Sequence, residues 1–343
     1  MPLPKFSVPR QFEASRGANE AAVAPTGPGS SVLSFVLYNF AGYNHVRTNR
    51  LFQISVLDNL VTSGAFDVKI PQNRTIPPFP SNAVVLKTVW WPVAKDRVSA
   101  MPIWDPEANP PLAAGNPVGT WSRFIGVDAT RLVPAGETGD ITFDGQIKRN
   151  SHIVGIGGFH VRTLESSDVV DAVNGQPFLA AVAQASFGRP LAVGDFAVLV
   201  ALHATTKEID DWVWATYWWH DKPSDGPFAQ NRVGSISGVW RNYLMDVSYD
   251  LNLPTEKDGS PHVTFDPWLE ARFADGGHGG GGVVSNCMNC HNRASWPRRI
   301  ADTCPSRRCF LPVYRGNPDF EDPAYAPGRL RTDFLWSIQD LAN

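Results

Sequence analysis

The sequence lacks the strong bias in charge or hydrophobicity that would mark it as a disordered, nucleic-acid-binding or membrane-spanning protein. Charged residues make up 18% of the chain against 43% hydrophobic residues, a balance that excludes a disordered, solvating polypeptide. A formal net charge of −3 argues against a general polyanion binder, so no nucleic-acid partner is expected. No hydrophobic run reaches the roughly 18–20 residues of a membrane-spanning helix, so we expect no integral membrane segment.

The N-terminus also lacks the signature of a secretory leader. Residues 1–30 are rich in Pro, Ala and Gly and contain no apolar core of roughly 7–15 residues, so they are predicted to be a disordered lead-in. P-loop, zinc-protease and nucleophile-elbow motifs are missing as well. None of these motifs is therefore available to suggest an activity.

Short hydrophobic segments separated by turn residues predict a mainly β fold. We expect an antiparallel, sandwich-like domain over residues 31–255, with a few helices from the weaker periodicity of Val46–Ser63 and Asp168–Gln184. Segments rich in β-branched and aromatic residues predict strands at Ala83–Trp91, Val154–Thr163, Phe196–His203 and Trp212–His220, the last two as partners.

A change of character after about residue 255 predicts a second unit over residues 256–343. Asp266 and Pro267 are placed to begin a short helix over Phe265–Phe273. Near the C-terminus, Thr332–Leu341 has one apolar helical face and is predicted to form a terminal helix with Thr332 as its cap.

Tryptophan is abundant, with twelve in the chain. In the predicted strand Trp212–His220, the alternation of side chains places Trp212, Trp214, Trp218 and His220 on one face. Two interpretations remain open: the rings fill the space between sheets, or they form an aromatic wall against a flat ligand such as a haem.

Cysteine is scarce, and all four cysteines lie between residues 287 and 309. Cys287–Met288–Asn289–Cys290–His291 has the pattern C-x-x-C-H. Thiols at this spacing can reach the two vinyl groups of one porphyrin and form thioethers, while the adjacent imidazole can bind the iron. The pattern predicts a covalently attached haem c.

The segment Asn286–Ala294 resembles the haem-attachment segments of bacterial c-type cytochromes. The wider chain resembles uncharacterised periplasmic cytochrome-c-like proteins, in which a β-rich domain precedes a single C-x-x-C-H near the C-terminus. The resemblance implies haem c at Cys287 and Cys290, with His291 as the proximal ligand.

The sequence departs from the cytochrome pattern because no methionine follows His291. A sixth iron ligand would therefore come from upstream, or the position would be open or occupied by water. His220, which ends the tryptophan-rich strand, is our leading candidate. His278 competes because it lies in a glycine-rich stretch. Further candidates are His203, Met101 and Met245.

Cys304 and Cys309 admit two interpretations. They could form a local disulfide, which suits an oxidising compartment. Alternatively, with Cys287 and Cys290 they approach the spacing of a structural zinc site with four cysteine ligands. Zinc is therefore the alternative to haem c as the bound cofactor.

Three functions remain open at this point. The first is single-electron transfer through haem c to a redox partner protein. The second is a haem-dependent oxidoreductase, peroxidase-like or oxygenase-like, acting on a small aromatic substrate. The third is a non-redox β-sandwich binding protein with a zinc site. Because haem c is attached outside the bacterial cytoplasm, we expect a periplasmic or otherwise exported protein whose gene product carries an upstream leader. The sequence does not specify an oligomeric state.

Overall fold

A computed structural model describes most of the chain and confirms the mainly β prediction. The described residues are 33–68, 70–105, 118, 121–132, 136–175, 177–250, 253–255, 257–259, 262–264, 266–270, 286–292, 294–297 and 328–342. The predicted lead-in 1–30 lies outside them.

Fourteen strands are defined in these ranges. In chain order they are β1 Leu33–Tyr38, β2 Ala65–Phe66, β3 Arg74–Thr75, β4 Val84–Val93, β5 Val98–Ile103, β6 Arg123–Asp128, β7 Glu137–Phe143, β8 Gln146–Gly155, β9 Val161–Thr163, β10 Phe196–Thr206, β11 Val213–Trp219, β12 Tyr243–Ser248, β13 Ser295–Trp296 and β14 Leu330–Arg331. The α-helices are α1 Phe40–Thr48, α2 Ile54–Ser63, α3 Ser167–Asn174, α4 Pro177–Phe187, α5 Pro267–Glu270, α6 Cys287–His291 and α7 Trp336–Leu341.

The largest sheet has six strands in the order β1-β4-β10-β11-β12, with β9 pairing at one end of β10. All its pairings are antiparallel. The predicted partnership of the two central strands is confirmed, since His203 in β10 lies opposite Thr216 in β11. Alternating side chains place Trp214, Thr216 and Trp218 on one face of this sheet.

A second sheet has the order β5-β6-β8-β7, with one parallel pair, β6 and β8. The strand predicted over Val154–Thr163 is interrupted here: β8 ends at Gly155, and a 3₁₀ turn over Ile156–Gly158 precedes β9. Gly157 permits the interruption, because a Cβ at this position would lie 1.2 Å from the carbonyl oxygen of Leu132. Only glycine therefore fits at this position of the turn.

The third sheet joins distant parts of the chain in the order β13-β14-β3-β2. Leu330 and Arg331 of β14 run parallel to Arg74 and Thr75 of β3. Arg331 is buried, and its Nη1 lies 2.6 Å from a carboxylate oxygen of Asp67. The described part of the predicted unit 256–343 thus shares a sheet with the β-rich part.

Two core clusters stabilise this arrangement. The large cluster lies around β4, β5, β6, β8, β10 and α4 and includes Trp91, Trp218 and Trp268. The small cluster brings α2 together with Trp212, Trp214 and the C-terminal segment. Its C-terminal members are Cys287, Met288, Leu330, Phe334, Leu335 and Ile338. Among the described residues, no helix combines the length and apolar character needed to cross a bilayer.

Candidate haem attachment site

The C-x-x-C-H motif forms the short helix α6, which lies in the small cluster. Cys287 is buried, with Sγ 3.9 Å from the carbonyl oxygen of Thr264. Met288 is fully buried, and Asn286 donates from Nδ2 to the carbonyl of Asp250 at 3.0 Å. Cys290 follows Cys287 by three residues, so the two positions lie on one side of the helix.

His291 ends α6 and has a defined hydrogen bond. Its Nδ1 lies 2.8 Å from the carbonyl oxygen of Phe334. A carbonyl oxygen can only accept, so Nδ1 carries the hydrogen and Nε2 keeps a lone pair. Burial lowers the pKa of His291 to about 4, and the nearby Lys87 ammonium contributes in the same direction. The ring is therefore neutral at pH 7.

Trp214 forms the floor under His291. The two ring centroids are 4.2 Å apart, with planes inclined at 44°. Trp214 is fixed in turn, because its Nε1 donates to the carbonyl of Asp211 at 3.1 Å. The position of Trp214 in β11 thus determines where the imidazole lies on the sheet.

The predicted wall of three tryptophans is not formed. Trp212 lies just before β11 with a φ of 63°, so it does not continue the alternation, and it packs against Phe79 at 5.5 Å. Trp218 belongs to the large cluster, where it packs against Phe228 at 5.0 Å. Trp214 and Trp218 are four residues apart, or ~13 Å along the strand. The interpretation of these rings as core filling accounts for Trp212 and Trp218, while Trp214 contacts His291.

His220 lies six residues from Trp214, or ~20 Å along the strand direction. Its Nδ1 accepts the backbone N–H of Lys222 at 3.0 Å, so the hydrogen of the neutral ring is on Nε2. Burial lowers the pKa of His220, which keeps the ring neutral. The structure does not bring His220 and His291 together, and the sixth-ligand role of His220 stays a prediction without geometric support.

The other ligand candidates fall into two groups. Met101 is a fully buried core residue of β5, and Met245 is buried in β12. His278, Cys304 and Cys309 lie outside the described residues. The disulfide and the zinc-site interpretations of Cys304 and Cys309 therefore both stay open. Within the ranges that the structure describes, no three His, Cys, Asp or Glu side chains converge in a way that could hold a metal ion.

A polar row that the sequence did not predict crosses the same sheet face beside Trp214. It consists of Lys87, His203, Thr216 and Asp246, which lie opposite one another on four adjacent strands. Because antiparallel partners share a face, the row covers the sheet between the level of Trp214 and that of Trp218. Pairing of strands from distant parts of the chain assembles this row, so no local residue spacing in the sequence predicts it.

Two carboxylates from α5 and its cap lie over the polar row. Glu270 contacts His203 with Oε1 3.0 Å from Nε2, and Thr216 donates to Asp266 at 2.9 Å. Burial raises the pKa of Asp266 to about 7. Burial opposes charge on His203 also, yet the adjacent Glu270 carboxylate raises the pKa of this ring. The predicted helix cap at Asp266 is confirmed, because its Oδ1 accepts the N–H of Trp268 at 2.9 Å.

The donor set at α6 fits a haem c. The two cysteines have the required spacing, and His291 has an Nε2 lone pair with Nδ1–H bound to a backbone carbonyl, the arrangement typical of metal-ligating histidines.

No protein-family profile matches the chain, and no curated protein or solved structure is detectably similar to it.

Proposed function

We propose that the chain binds one haem c covalently through Cys287 and Cys290, with His291 as the proximal ligand, and transfers single electrons to a redox partner protein. The observation that carries this proposal is the tautomer of His291, whose Nδ1–H is bound to the Phe334 carbonyl. With Nδ1–H bound in this way, Nε2 is the ring nitrogen whose lone pair is left for an iron.

The surroundings of the motif support the same function. When bound, haem c supplies an iron that accepts or releases one electron. Trp214 and Phe334 supply apolar surface beside His291, with Phe334 only 6% exposed. An apolar shell limits water and tunes the potential of a redox centre. The low pKa of His291 keeps the imidazole unprotonated and available as a ligand over the physiological range.

The oxidoreductase alternative loses the observation that motivated it. It required an aromatic pocket lined by Trp212, Trp214 and Trp218, whereas Trp218 lies in a different cluster from the other two. Electron transfer requires no substrate pocket and is therefore the function we propose, in a periplasmic or otherwise exported protein.

Covalent attachment gives a direct test. The protein is exported in cells that contain a c-haem maturation system, then denatured and extracted with acidified acetone. We expect haem to remain on the chain, because thioethers survive this treatment. Replacing Cys287 and Cys290 together by Ala should abolish the retained haem, as measured by a pyridine haemochrome assay on the purified chain.

The matched control replaces Cys304 and Cys309 together by Ser, which should leave haem content unchanged. Together, the two double variants distinguish a haem c site from a zinc site, because a zinc site built from all four cysteines would lose its metal in both. Colourless protein carrying one equivalent of zinc, lost in both variants, would overturn the proposal.

A further inference from the structure

The turn that presents the Phe334 carbonyl has an unusual backbone. Asp333 and Phe334 are consecutive residues with φ values of 48° and 67°. Left-handed conformations are unfavourable for residues with a Cβ, so the surroundings must hold this turn in place. Thr332 is fixed on one side, where its N–H donates to the carbonyl of Ala294 at 3.1 Å. The conformation of Asp333 itself needs a further cause.

The side chain of Asp333 forms a buried ion pair. The Nζ of Lys207 lies 2.8 Å from Oδ1 of Asp333, and the two side chains are only 8% and 11% exposed. Trp212 donates from Nε1 to the same oxygen at 3.2 Å, and the N–H of Phe79 donates to Oδ2 at 3.1 Å. Three donors therefore fix the carboxylate of Asp333, two from the connection between β10 and β11 and one from Phe79.

The ion pair and His291 are connected along two short paths. On one side, Asp333 is the residue before Phe334, whose carbonyl accepts from His291. On the other side, Trp212 bonds to Asp333 and lies two residues before Trp214, which packs under the imidazole. A shift of Asp333 would therefore move both the Phe334 carbonyl that accepts from His291 and the Trp214 ring that packs against it.

We propose that Lys207 and Asp333 are positioning residues that hold the left-handed turn at residues 333–334 and so fix the tautomer and orientation of His291. The consequence for a haem iron rests on the proposed function; the effect on the imidazole does not. A hydrogen bond from Nδ1 to a fixed acceptor makes the opposite nitrogen a more basic ligand. A more basic ligand favours the ferric state, so the ion pair lowers the reduction potential of an iron bound to His291.

The test uses Asp333→Asn and Lys207→Met, with Asp195→Asn as the matched control. Asp195 is also buried, and its carboxylate lies 2.6 Å from Arg189. This pair lies just before β10, beside Lys95 in the turn between β4 and β5, and has no recorded contact with Phe334 or Trp214. All three variants lose a buried charge, so a loss of unfolding free energy alone does not distinguish them. The discriminating readout is the tautomer of His291.

In haem-free protein with ¹⁵N-labelled histidine, long-range ¹H–¹⁵N spectra report which ring nitrogen carries the hydrogen. We expect one tautomer, Nδ1–H, in the native chain and in Asp195→Asn, and a mixture of both tautomers in Asp333→Asn and Lys207→Met. If Asp333→Asn does not fold, Lys207→Met decides alone. A single Nδ1–H tautomer in every folded variant of the pair would overturn the proposal.

In haem-loaded protein, the same two variants should raise the midpoint potential, while Asp195→Asn leaves it at the native value. A tenfold shift of the ferric–ferrous equilibrium corresponds to about 59 mV for one electron. An unchanged potential in both variants would also overturn the proposal. Failure of the chain to take up haem would overturn the proposed function instead, and the tautomer measurement would still decide the role of the ion pair.

Discussion

Two largely buried histidines lie toward opposite ends of β11, and burial lowers the pKa of both. His220 accepts an N–H at Nδ1, whereas His291 donates from Nδ1 to a carbonyl. Similar burial therefore accompanies opposite tautomers: Nε2 carries the hydrogen in His220 and a lone pair in His291. The hydrogen-bond partner of Nδ1, rather than the degree of burial, therefore distinguishes His291, the candidate ligand, from His220.

The largest effect that would test this comparison is on haem content. We expect His291→Ala to lower the haem retained per chain by about tenfold or more, since it removes the proximal nitrogen. His220→Ala should keep the native haem content and visible spectrum, although it destabilises the fold. Haem content by pyridine haemochrome, normalised to folded protein, checks both. Native haem content in His291→Ala, together with a low-spin to high-spin change in His220→Ala, would reverse the roles of the two residues.

A smaller effect concerns the pH dependence of stability in haem-free protein. The pKa of His291 falls from 6.5 in the unfolded chain to about 4 in the folded one. Between these values the unfolded state binds more protons, so the free energy of unfolding rises as the pH increases from about 4 to 6.5. The contribution of His291 is about 3 kcal/mol and is lost as the pH falls.

Urea titrations at several pH values measure this slope. His291→Gln should flatten it, because the replacement does not titrate. His220→Gln should also flatten it, since burial lowers the pKa of that ring as well. A native slope in His291→Gln would mean that folding does not lower the pKa of His291, which would contradict burial of the neutral ring.

The smallest expected effect comes from Asp266, whose pKa is raised from 3.8 to about 7 by burial. Here the folded state keeps a proton that the unfolded state loses, so stability falls as the pH increases from about 4 to 7. The slope is opposite to that of His291 over nearly the same range. Asp266→Asn should therefore steepen the net rise. At pH 8 it should increase the free energy of unfolding by only about 1 kcal/mol, because the roughly 4 kcal/mol from the pKa shift is largely offset by the loss of the charged acceptor for Thr216. A lower stability of this variant at pH 8 would show that Asp266 is ionised and stabilising in the native protein.

The strands were predictable where one physical signal dominated. β4, β10 and β11 are short segments rich in β-branched and aromatic residues, so their approximate positions and the partnership of β10 with β11 could be predicted from the sequence. The prediction was wrong at Trp212, where a left-handed backbone ends the alternation one residue before the strand. It was also wrong at the C-terminal helix, which begins at Trp336 rather than after Thr332. There the backbone of residues 333–334 is committed to tertiary contacts, which override local helix propensity.

The candidate site was predictable only at the level of its motif. The spacing of Cys287, Cys290 and His291 is local, so the sequence displays it. The Phe334 carbonyl, the Lys207–Asp333 pair and the polar row are assembled by pairings across long stretches of chain, and a backbone acceptor has no side-chain signature at all. Glu270 gave one weak local signal, since it follows the predicted cap Asp266 by four residues.

The parallel pairing of β14 with β3 also sets an order of events during synthesis. Thr75 emerges from the ribosome long before its partner Arg331, and at roughly 5–20 residues per second the interval is many seconds. Tyr38 and Ser337, whose hydroxyl oxygens lie 2.5 Å apart, are separated even further along the chain. Until residues 328–342 arrive, the inner strand β14 and the Phe334 carbonyl that bonds to His291 are missing, so the motif cannot reach its place in the small cluster. Folding around Cys287 therefore waits for residues 328–342, so the motif is among the last parts of the described fold to be buried.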